Sequence, residues 1–170
     1  MVTLTNPHYR LISDHGFGQV RRNSNNDQNA FFALRSFQPG EVIAEFSAGT
    51  IAAEPTYLTV QVGIGKHITL QPEHLQYINH SCSPNVFFNT STMELVALNE
   101  IQQEDELTFF YPSTEWEMVQ PFNCYCGSHN CIGKIKGAAY LPEKVWKQYR
   151  LTDFIQQQIL AKRAARKVRA

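Results

Sequence analysis

The sequence lacks the features that would place a protein in or across a membrane. No stretch approaches 18 consecutive apolar residues, and the N-terminal segment "MVTLTNPHYRLISDHG" has no apolar run resembling a signal peptide. It also contains no internal repeat and no low-complexity linker. With 170 residues, of which 43% are hydrophobic, the chain has the length and composition of one folded domain. We therefore expect an intracellular soluble protein, either cytoplasmic or, in a eukaryote, nuclear.

Cysteine is scarce, and its placement is uneven. Three of the four cysteines lie in "CYCGSHNC" at Cys124, Cys126 and Cys131, whereas Cys82 lies far upstream in "YINHSCSPN". In a reducing compartment, such a cluster more often binds a metal than forms disulfides. A structural zinc ion needs four ligands, and Cys82 is the only sulfur left to complete the set. His129 and His80 are alternative fourth ligands, and four unrelated buried cysteines would be the interpretation without a metal.

Basic residues are almost absent from the middle of the chain. Residues 41–120 carry eleven acidic side chains and one basic side chain, Lys66, whereas residues 121–170 carry ten basic side chains against two acidic ones. An acidic domain favours a basic partner, although a solvated acidic face would give the same count. The last basic residues are expected to form a solvated tail, with nucleic-acid binding or an address signal as the alternatives. They are Lys162, Arg163, Arg166, Lys167 and Arg169.

Helical periodicity is absent from the first two thirds of the chain. Short segments rich in β-branched and aromatic residues occur instead, separated by Gly, Pro, Asn and Ser: "NAFFAL", "EVIAEFSA", "YLTVQV", "KHITL", "NVFFN", "MELVAL" and "ELTFFY". These segments predict small sheets and not a parallel βαβ array. After Pro142 the sequence indicates a helix with Thr152 as an N-cap. An apolar stripe of Leu151, Phe154, Ile155 and Ile159 is expected to pack on the domain.

Several of these strings together resemble a known family. "YINHSCSPN", followed by "ELTFFYP" and "CYCGSHNC", resembles the SET-domain protein-lysine methyltransferases that carry a post-SET zinc segment. "GFG", "PGEVIAEFSAG" and "NEIQQEDELTFFY" extend the similarity in the family's order over about residues 9 to 140. The resemblance implies a mostly β fold of several small sheets with a knot-like C-terminal crossing. It divides the chain into a SET domain at 1–118 with its core from about residue 9, a post-SET segment at 119–140, and a C-terminal helix with a basic tail at 141–170.

The resemblance also implies an activity. Such proteins transfer a methyl group from S-adenosylmethionine to a lysine of a histone or another basic protein, with the cofactor in a pocket opposite the lysine channel. Tyr111 matches the active-site tyrosine, and Phe109 matches a position at which phenylalanine goes with di- or trimethylation. One structural zinc would be bound by Cys82, Cys124, Cys126 and Cys131. The cofactor-binding residues implied are Gly16, Phe17, Gly18, Tyr57, Asn79, His80, Phe122 and Tyr125.

Each implied cofactor residue has an alternative interpretation, and the sequence departs from the family in places. Glycines 16 and 18 are also typical of an ordinary turn, His80 of a core histidine, Tyr57 of a packing aromatic and Tyr125 of a solvent-facing side chain. Phe110 stands where the family usually has Asp or Asn, and Glu104 replaces a usual glycine, which suggests a different turn. Only about thirty residues separate "EVIAEF" from "YINHS", so the insert that helps grip the substrate is short. The alternative functions are a non-catalytic zinc-containing SET-like binding or scaffold module, and a nucleic-acid binder using the basic C-terminus.

Overall fold

The computed structural model describes residues 8–168, so residues 1–7 and Arg169 of the basic segment lie outside it. The strands are β1 (Tyr9–Asp14), β2 (Gly18–Asn23), β3 (Asn29–Ala33), β4 (Val42–Glu45), β5 (Ser47–Ala52), β6 (Thr59–Gly63), β7 (Lys66–Gln71), β8 (Asn79–His80), β9 (Val86–Asn89), β10 (Glu94–Ala97), β11 (Thr108–Phe109), β12 (Phe122–Asn123) and β13 (Lys134–Ile135). The helices are α1 (Glu143–Trp146) and α2 (Asp153–Val168), with 3-10 turns at Glu73–Tyr77, Tyr111–Ser113 and Ala138–Tyr140.

The strands form several small sheets, as the sequence predicts. Three sheets have three strands each, in the orders β1-β2-β3, β4-β10-β9 and β5-β7-β6, and they are antiparallel throughout. A short hairpin pairs β12 with β13. The remaining pair, β8 with β11, is parallel and aligns Asn79 with Thr108 and His80 with Phe109. This parallel pair brings the "NHSC" segment beside the strand that leads into Tyr111.

The main core lies between the three larger sheets and extends to the parallel pair. Phe31, Phe37, Phe88 and Leu95 are fully buried within it. Burying a side chain of this kind contributes roughly 1.5–3 kcal/mol. The rings of Phe88 and Phe109 meet edge to face, with centroids 4.8 Å apart. The packing of this core therefore fixes the strand that carries the active-site candidates.

The C-terminal region is two helices and not the continuous helix that the sequence indicates. The chain turns at residues 147–152, where the Tyr149 ring stacks on Phe110 and the Thr152 N–H donates to the Ser113 carbonyl. Because the Thr152 N–H is bonded to Ser113, it is not available for the bond to residue 148 that a continuous helix would make. Thr152 caps α2 as predicted, because its hydroxyl accepts the Ile155 N–H at 3.4 Å.

The predicted apolar stripe does pack on the domain. Leu151, Ile155 and Ile159 are buried against Ala138 and Trp116. Two of the neighbouring basic side chains bind within the protein: Lys162 donates to the Ala139 carbonyl, and Arg163 lies 3.5 Å from the Glu143 carboxylate. No helix in the described range is long and apolar enough to cross a membrane.

Candidate active site and metal centre

The four cysteines converge on one point. Their sulfur atoms all lie within 4.8 Å of one another, and the Cys82 and Cys124 sulfurs are 4.0 Å apart. Tetrahedral zinc with Zn–S bonds of about 2.3 Å would hold sulfurs roughly 3.8 Å apart. The cluster therefore has the size and the ligand set of a structural zinc site. His129 is exposed and stands outside the group, so the geometry favours Cys82 over it as the fourth ligand.

Two segments distant in sequence build this cluster. Cys82 follows β8, whereas Cys124, Cys126 and Cys131 lie in the loop joining β12 to β13. The Asn130 amide donates to the Cys82 carbonyl at 2.7 Å and ties the loop to the "NHSC" segment. Burial raises the pKa of the Cys82 thiol, so its thiolate needs a cation nearby. A bound zinc ion would supply that charge.

His80 connects the cysteine cluster to Tyr111. Its Nδ1 accepts the Tyr111 backbone N–H at 3.2 Å, and its Nε2 lies 3.4 Å from the Cys82 sulfur. Burial lowers the pKa of His80 to about 4, so the ring is neutral at physiological pH. Both ring nitrogens are therefore directed at protein groups. The imidazole is bonded to backbone, as expected of a core histidine, and His80 also lines the cleft described next, as expected of a cofactor-binding residue.

A cleft of about 1030 Å³ opens beside the parallel strand pair. Five of the predicted cofactor residues line it: Tyr57, Asn79, His80, Phe122 and Tyr125. The Asn79 amide nitrogen donates to the Asn29 carbonyl and to the Glu106 carboxylate, both at 3.0 Å, which leaves its Oδ1 to accept from a ligand. Tyr125 is 89% exposed, so a ligand could cover its ring. The cleft has the size and the aromatic and amide groups to fit a nucleoside with an amino-acid moiety.

A second, smaller cavity of about 290 Å³ adjoins the cleft. Tyr57, Tyr111 and Phe122 line both spaces. The wall of the smaller cavity is largely apolar, with side chains such as Val60, Leu70, Leu75, Ile78, Phe109 and Met118. We refer to it as the acceptor cavity. A ligand in the cleft and a ligand in the acceptor cavity would therefore meet at Tyr111.

Tyr111 stands at this boundary in a mostly aromatic environment. Its hydroxyl lies 3.5 Å from the Ile78 carbonyl, and its ring contacts Phe109, with centroids 4.6 Å apart, and His80, with centroids 5.2 Å apart. Burial, with the charge of Glu106 adding to it, raises the pKa of Tyr111 to about 12. The hydroxyl is therefore protonated at neutral pH and can orient a ligand by hydrogen bonding.

The structure does not bring Gly16, Phe17 and Gly18 to the cleft. They form the turn between β1 and β2, where Gly16 has a φ of 80° and a Cβ at Gly18 would overlap the Phe31 ring. The Phe17 ring packs near Phe31. Gly16 and Gly18 therefore meet the needs of a turn and of close packing, and the cofactor role expected for this segment stays a prediction.

Three residues that the sequence did not single out line the cleft. Asn26, Gln28 and Asn29 line it, and nothing in the sequence marks them as ligand-binding residues. They belong to "NSNNDQN", whose composition indicates only a turn.

Two of the departures from the family pattern, Phe110 and Glu104, have local structural reasons. The Phe110 ring lies parallel to that of Tyr149, with centroids 3.6 Å apart and planes 5° from parallel. Glu104 has a φ of 76°, the left-handed region that glycine adopts most readily, so the different turn expected there is not required. Its carboxylate accepts two hydrogen bonds from the Arg21 guanidinium, at 2.6 and 2.9 Å, which helps offset the backbone strain.

Comparison with known proteins identifies the family of the chain. The model of the SET domain family matches residues 28–112, and the chain belongs to that family. The matched range includes Tyr111 and Asn79 but begins after Gly18.

Individual relatives and one solved structure extend the comparison. The chain is 41% identical over 132 residues to "Methyltransferase flvH" of Aspergillus flavus, covering 76% of this chain and 74% of that protein. It is 30% identical over 101 residues to a histone-lysine N-methyltransferase, H3 lysine-36 specific, of Saccharomyces cerevisiae, covering 52% of this chain and only 14% of that protein. Its fold is similar to that of KRYPTONITE, solved in complex with mCHG DNA and SAH, with a TM-score of 0.52 and 21% identity over 65% of this chain and 27% of that one.

Proposed function

We propose that the protein is an S-adenosylmethionine-dependent methyltransferase that modifies a lysine side chain of a histone or another basic protein. The observation that carries the proposal is the meeting of the large cleft and the acceptor cavity at Tyr111. A transfer between two ligands needs two binding spaces with one common boundary. Membership of the SET domain family and the similarity to named methyltransferases support the same reaction.

In this proposal the large cleft binds the cofactor. Asn79 would accept a hydrogen bond from the cofactor's amino group through Oδ1, while Tyr57, Phe122 and Tyr125 would contact its base and sugar. Bound S-adenosylmethionine would supply a methyl group as an electrophilic carbon on a sulfonium sulfur. The wall residues Gln28 and Asn29 replace Gly16 and Gly18 as cofactor-binding candidates.

The acceptor cavity would bind the lysine side chain. Free lysine has a pKa of about 10.4, so only about one molecule in a thousand is a neutral amine at neutral pH. The largely apolar wall disfavours the ammonium, and the proton can leave through water. The Tyr111 hydroxyl would then orient the nitrogen lone pair towards the methyl carbon, a role in which small displacements are costly.

Zinc would hold the two sides of the site together. In our proposal one structural ion, bound by the four cysteines, fastens the post-SET segment at 119–140 to the SET domain at 1–118. Phe122 and Tyr125 reach the cleft from this segment. Zinc binding is worth roughly 10 kcal/mol or more in small zinc peptides, enough to order a loop with little core of its own.

Two further features fit a basic protein as substrate and more than one methylation step. The excess of acidic residues at 41–120 would attract a basic partner, and a nuclear or cytoplasmic location would suit it. Phe109 lines the acceptor cavity and presents no hydroxyl there, which leaves room for a methylated amine to turn. We therefore propose di- or trimethyl-lysine as the product.

The test compares Tyr111→Phe with the natural protein in transfer of labelled methyl groups to the proteins of a cell lysate. Turnover should fall by about one to three orders of magnitude, because the change removes a positioning group and almost no volume, while cofactor affinity measured by calorimetry changes little. Tyr140→Phe is the matched control, since Tyr140 is exposed and its hydroxyl binds Glu117 away from both cavities. Full activity of Tyr111→Phe would contradict the assigned role, and cofactor binding without any transfer by the natural protein would identify a binding module instead.

A further inference from the structure

The acceptor cavity contains one carboxyl group. Glu115 lines it, and no Lys, Arg or His is among the described residues that do. Apart from Tyr57 and Tyr111, the remaining lining side chains are apolar or neutral amides and hydroxyls. Among the described residues that line the cavity, Glu115 alone is an acid or a base that could carry a charge close to neutral pH.

The fold holds Glu115 rigidly. It follows the Tyr111–Ser113 turn, and its backbone N–H donates to the Tyr111 carbonyl at 3.0 Å. The Oε1 atom of Glu115 accepts the backbone N–H of Gln61 on β6 at 2.9 Å. The Gln61 side-chain oxygen in turn accepts the backbone N–H of Trp116 at 3.0 Å. The residue is only 7% exposed. The carboxyl group is thus fixed one turn beyond Tyr111 and faces the same space.

The environment of Glu115 disfavours its charge when the cavity holds no cation. Burial raises the pKa of Glu115 to about 8, although the hydrogen bonds from the Gln61 N–H and Thr114 act in the opposite direction. None of the ion pairs found between residues 8 and 168 involves it. A buried carboxylate is stabilised by a partner of opposite charge, and the acceptor cavity is the space from which one could approach.

We infer that Glu115 is a specificity-determining residue of the acceptor cavity, where its carboxylate pairs with the ammonium of a primary amine, or of its partly methylated product, when the amine first binds and before the nitrogen loses its proton for transfer. The inference rests on the proposed function, because it takes the cavity as the acceptor site. Glu115 would give the cavity a preference for a charged amine over an uncharged side chain. The rest of the wall cannot provide this preference, since an apolar cavity favours a neutral chain over an ammonium of the same length. A purely structural Glu115, which only anchors Gln61, would leave that preference unchanged.

The experiment measures binding of two blocked tripeptides, Ala-Lys-Ala and Ala-norleucine-Ala, to the zinc-loaded protein saturated with S-adenosylhomocysteine. At pH 8.5 the lysine peptide should bind the natural protein at least about tenfold more tightly than the norleucine peptide, as expected for a buried charged hydrogen bond. Glu115→Gln should reverse this order, because its amide still accepts the Gln61 N–H but cannot balance an ammonium. Glu117→Gln is the matched control, two residues away and exposed.

The pH dependence gives a second readout that a structural role would not change. Below pH 8 the ammonium must displace a proton from Glu115, so affinity for the lysine peptide should rise about tenfold from pH 6 to 7, about fivefold from pH 7 to 8, and then level off. Tyr57 and Tyr111 are the other titratable groups that share the cavity. Glu115→Gln should show a flat profile. Glu115→Asp keeps the charge on a shorter side chain and should retain the slope with weaker binding, which covers the case in which Glu115→Gln fails to fold.

The results separate this inference from the proposed function. A natural protein that methylates lysine but binds the two peptides equally, or binds neither, overturns the role of Glu115 and leaves the proposed function standing. A lysine preference that persists in Glu115→Gln also overturns it. Conversely, a Glu115-dependent preference without any methyl transfer supports the amine-binding role and rejects the proposed enzyme.

Discussion

The ligand-free protein should carry a pH-dependent penalty at Glu115 that Glu115→Gln removes. The pKa of this carboxyl rises from an ordinary value of 4.5 to about 8 on folding. An acid with a raised pKa binds its proton more tightly in the folded state, so stability is unaffected below pH 4.5 and falls as pH rises from there to 8. A pKa difference of one between the folded and unfolded states corresponds to about 1.4 kcal/mol, which gives a penalty of up to about 5 kcal/mol at pH 8 and above. Glutamine has nearly the same shape and keeps an acceptor for the Gln61 N–H.

The assay is denaturant unfolding of the natural protein, Glu115→Gln and Glu117→Gln at pH 5 and pH 8.5, with zinc held constant. The zinc site also responds to pH, but it is common to all three proteins, so the difference between them isolates the substituted residue. The advantage of Glu115→Gln should be small at pH 5 and should grow to several kcal/mol at pH 8.5, whereas Glu117→Gln should follow the natural protein. A pH-independent difference, or a variant that is less stable at pH 8.5, would refute the reasoning.

Three further predictions concern the metal centre, the product and the C-terminal segment. Elemental analysis should find close to one zinc per chain, and Cys82→Ser should lose it as fully as Cys126→Ser; retention in the Cys82 variant would reopen His129 as the ligand. Phe109→Tyr should shift the product towards monomethyl-lysine, as read by mass spectrometry, because its hydroxyl would occupy the channel; only monomethylated product from the natural protein would contradict this. Tyr149→Phe should lower the free energy of unfolding by about 1 kcal/mol or more, since it loses the hydrogen bond to the Cys82 carbonyl at 2.8 Å and the longer one from the Asn130 amide at 3.3 Å. Tyr149→Ala should cost about 3 kcal/mol or more by also losing the stack on Phe110. Equal effects of the two Tyr149 variants would contradict the stacking contribution.

The parts of the fold that the sequence could predict are those with a strong local signal. Segments such as "NAFFAL" and "NVFFN" are buried strands because their aromatic and β-branched side chains fit a pleated surface. The strands β1 and β2 lack such a signal because their sheet is only partly buried, and Leu11 and Ile12 remain exposed. The two-residue strand β11 lies within the predicted segment "ELTFFY", whereas its partner β8 exists only through pairing with that distant segment, which no local pattern at Asn79 and His80 shows.

The candidate site also has parts that the sequence could predict and parts that it could not. The four-cysteine cluster could be predicted because cysteine is rare in this chain and the compact triplet of cysteines is typical of a metal site. Gly16 and Gly18 belong to a short motif that an ordinary turn also satisfies, so the motif could not distinguish a turn from a cofactor site. Glu115 could not be singled out, because it is one of eleven acids between residues 41 and 120 and the sequence does not show which carboxyl is buried.

Phe110 shows how a departure from a family pattern can be understood from its partners. Its ring stacks on Tyr149, whose hydroxyl donates to the Cys82 carbonyl. Cys82 in turn lies against His80, and His80 accepts the Tyr111 backbone N–H. The segment at 147–152, the cysteine cluster and the strand that ends at Tyr111 are therefore joined by direct contacts. A polar side chain at position 110 would lose the ring stack in a site that is only 2% exposed. The phenylalanine thus fits the docking of the C-terminal segment, and it gives no reason to regard the site as inactive.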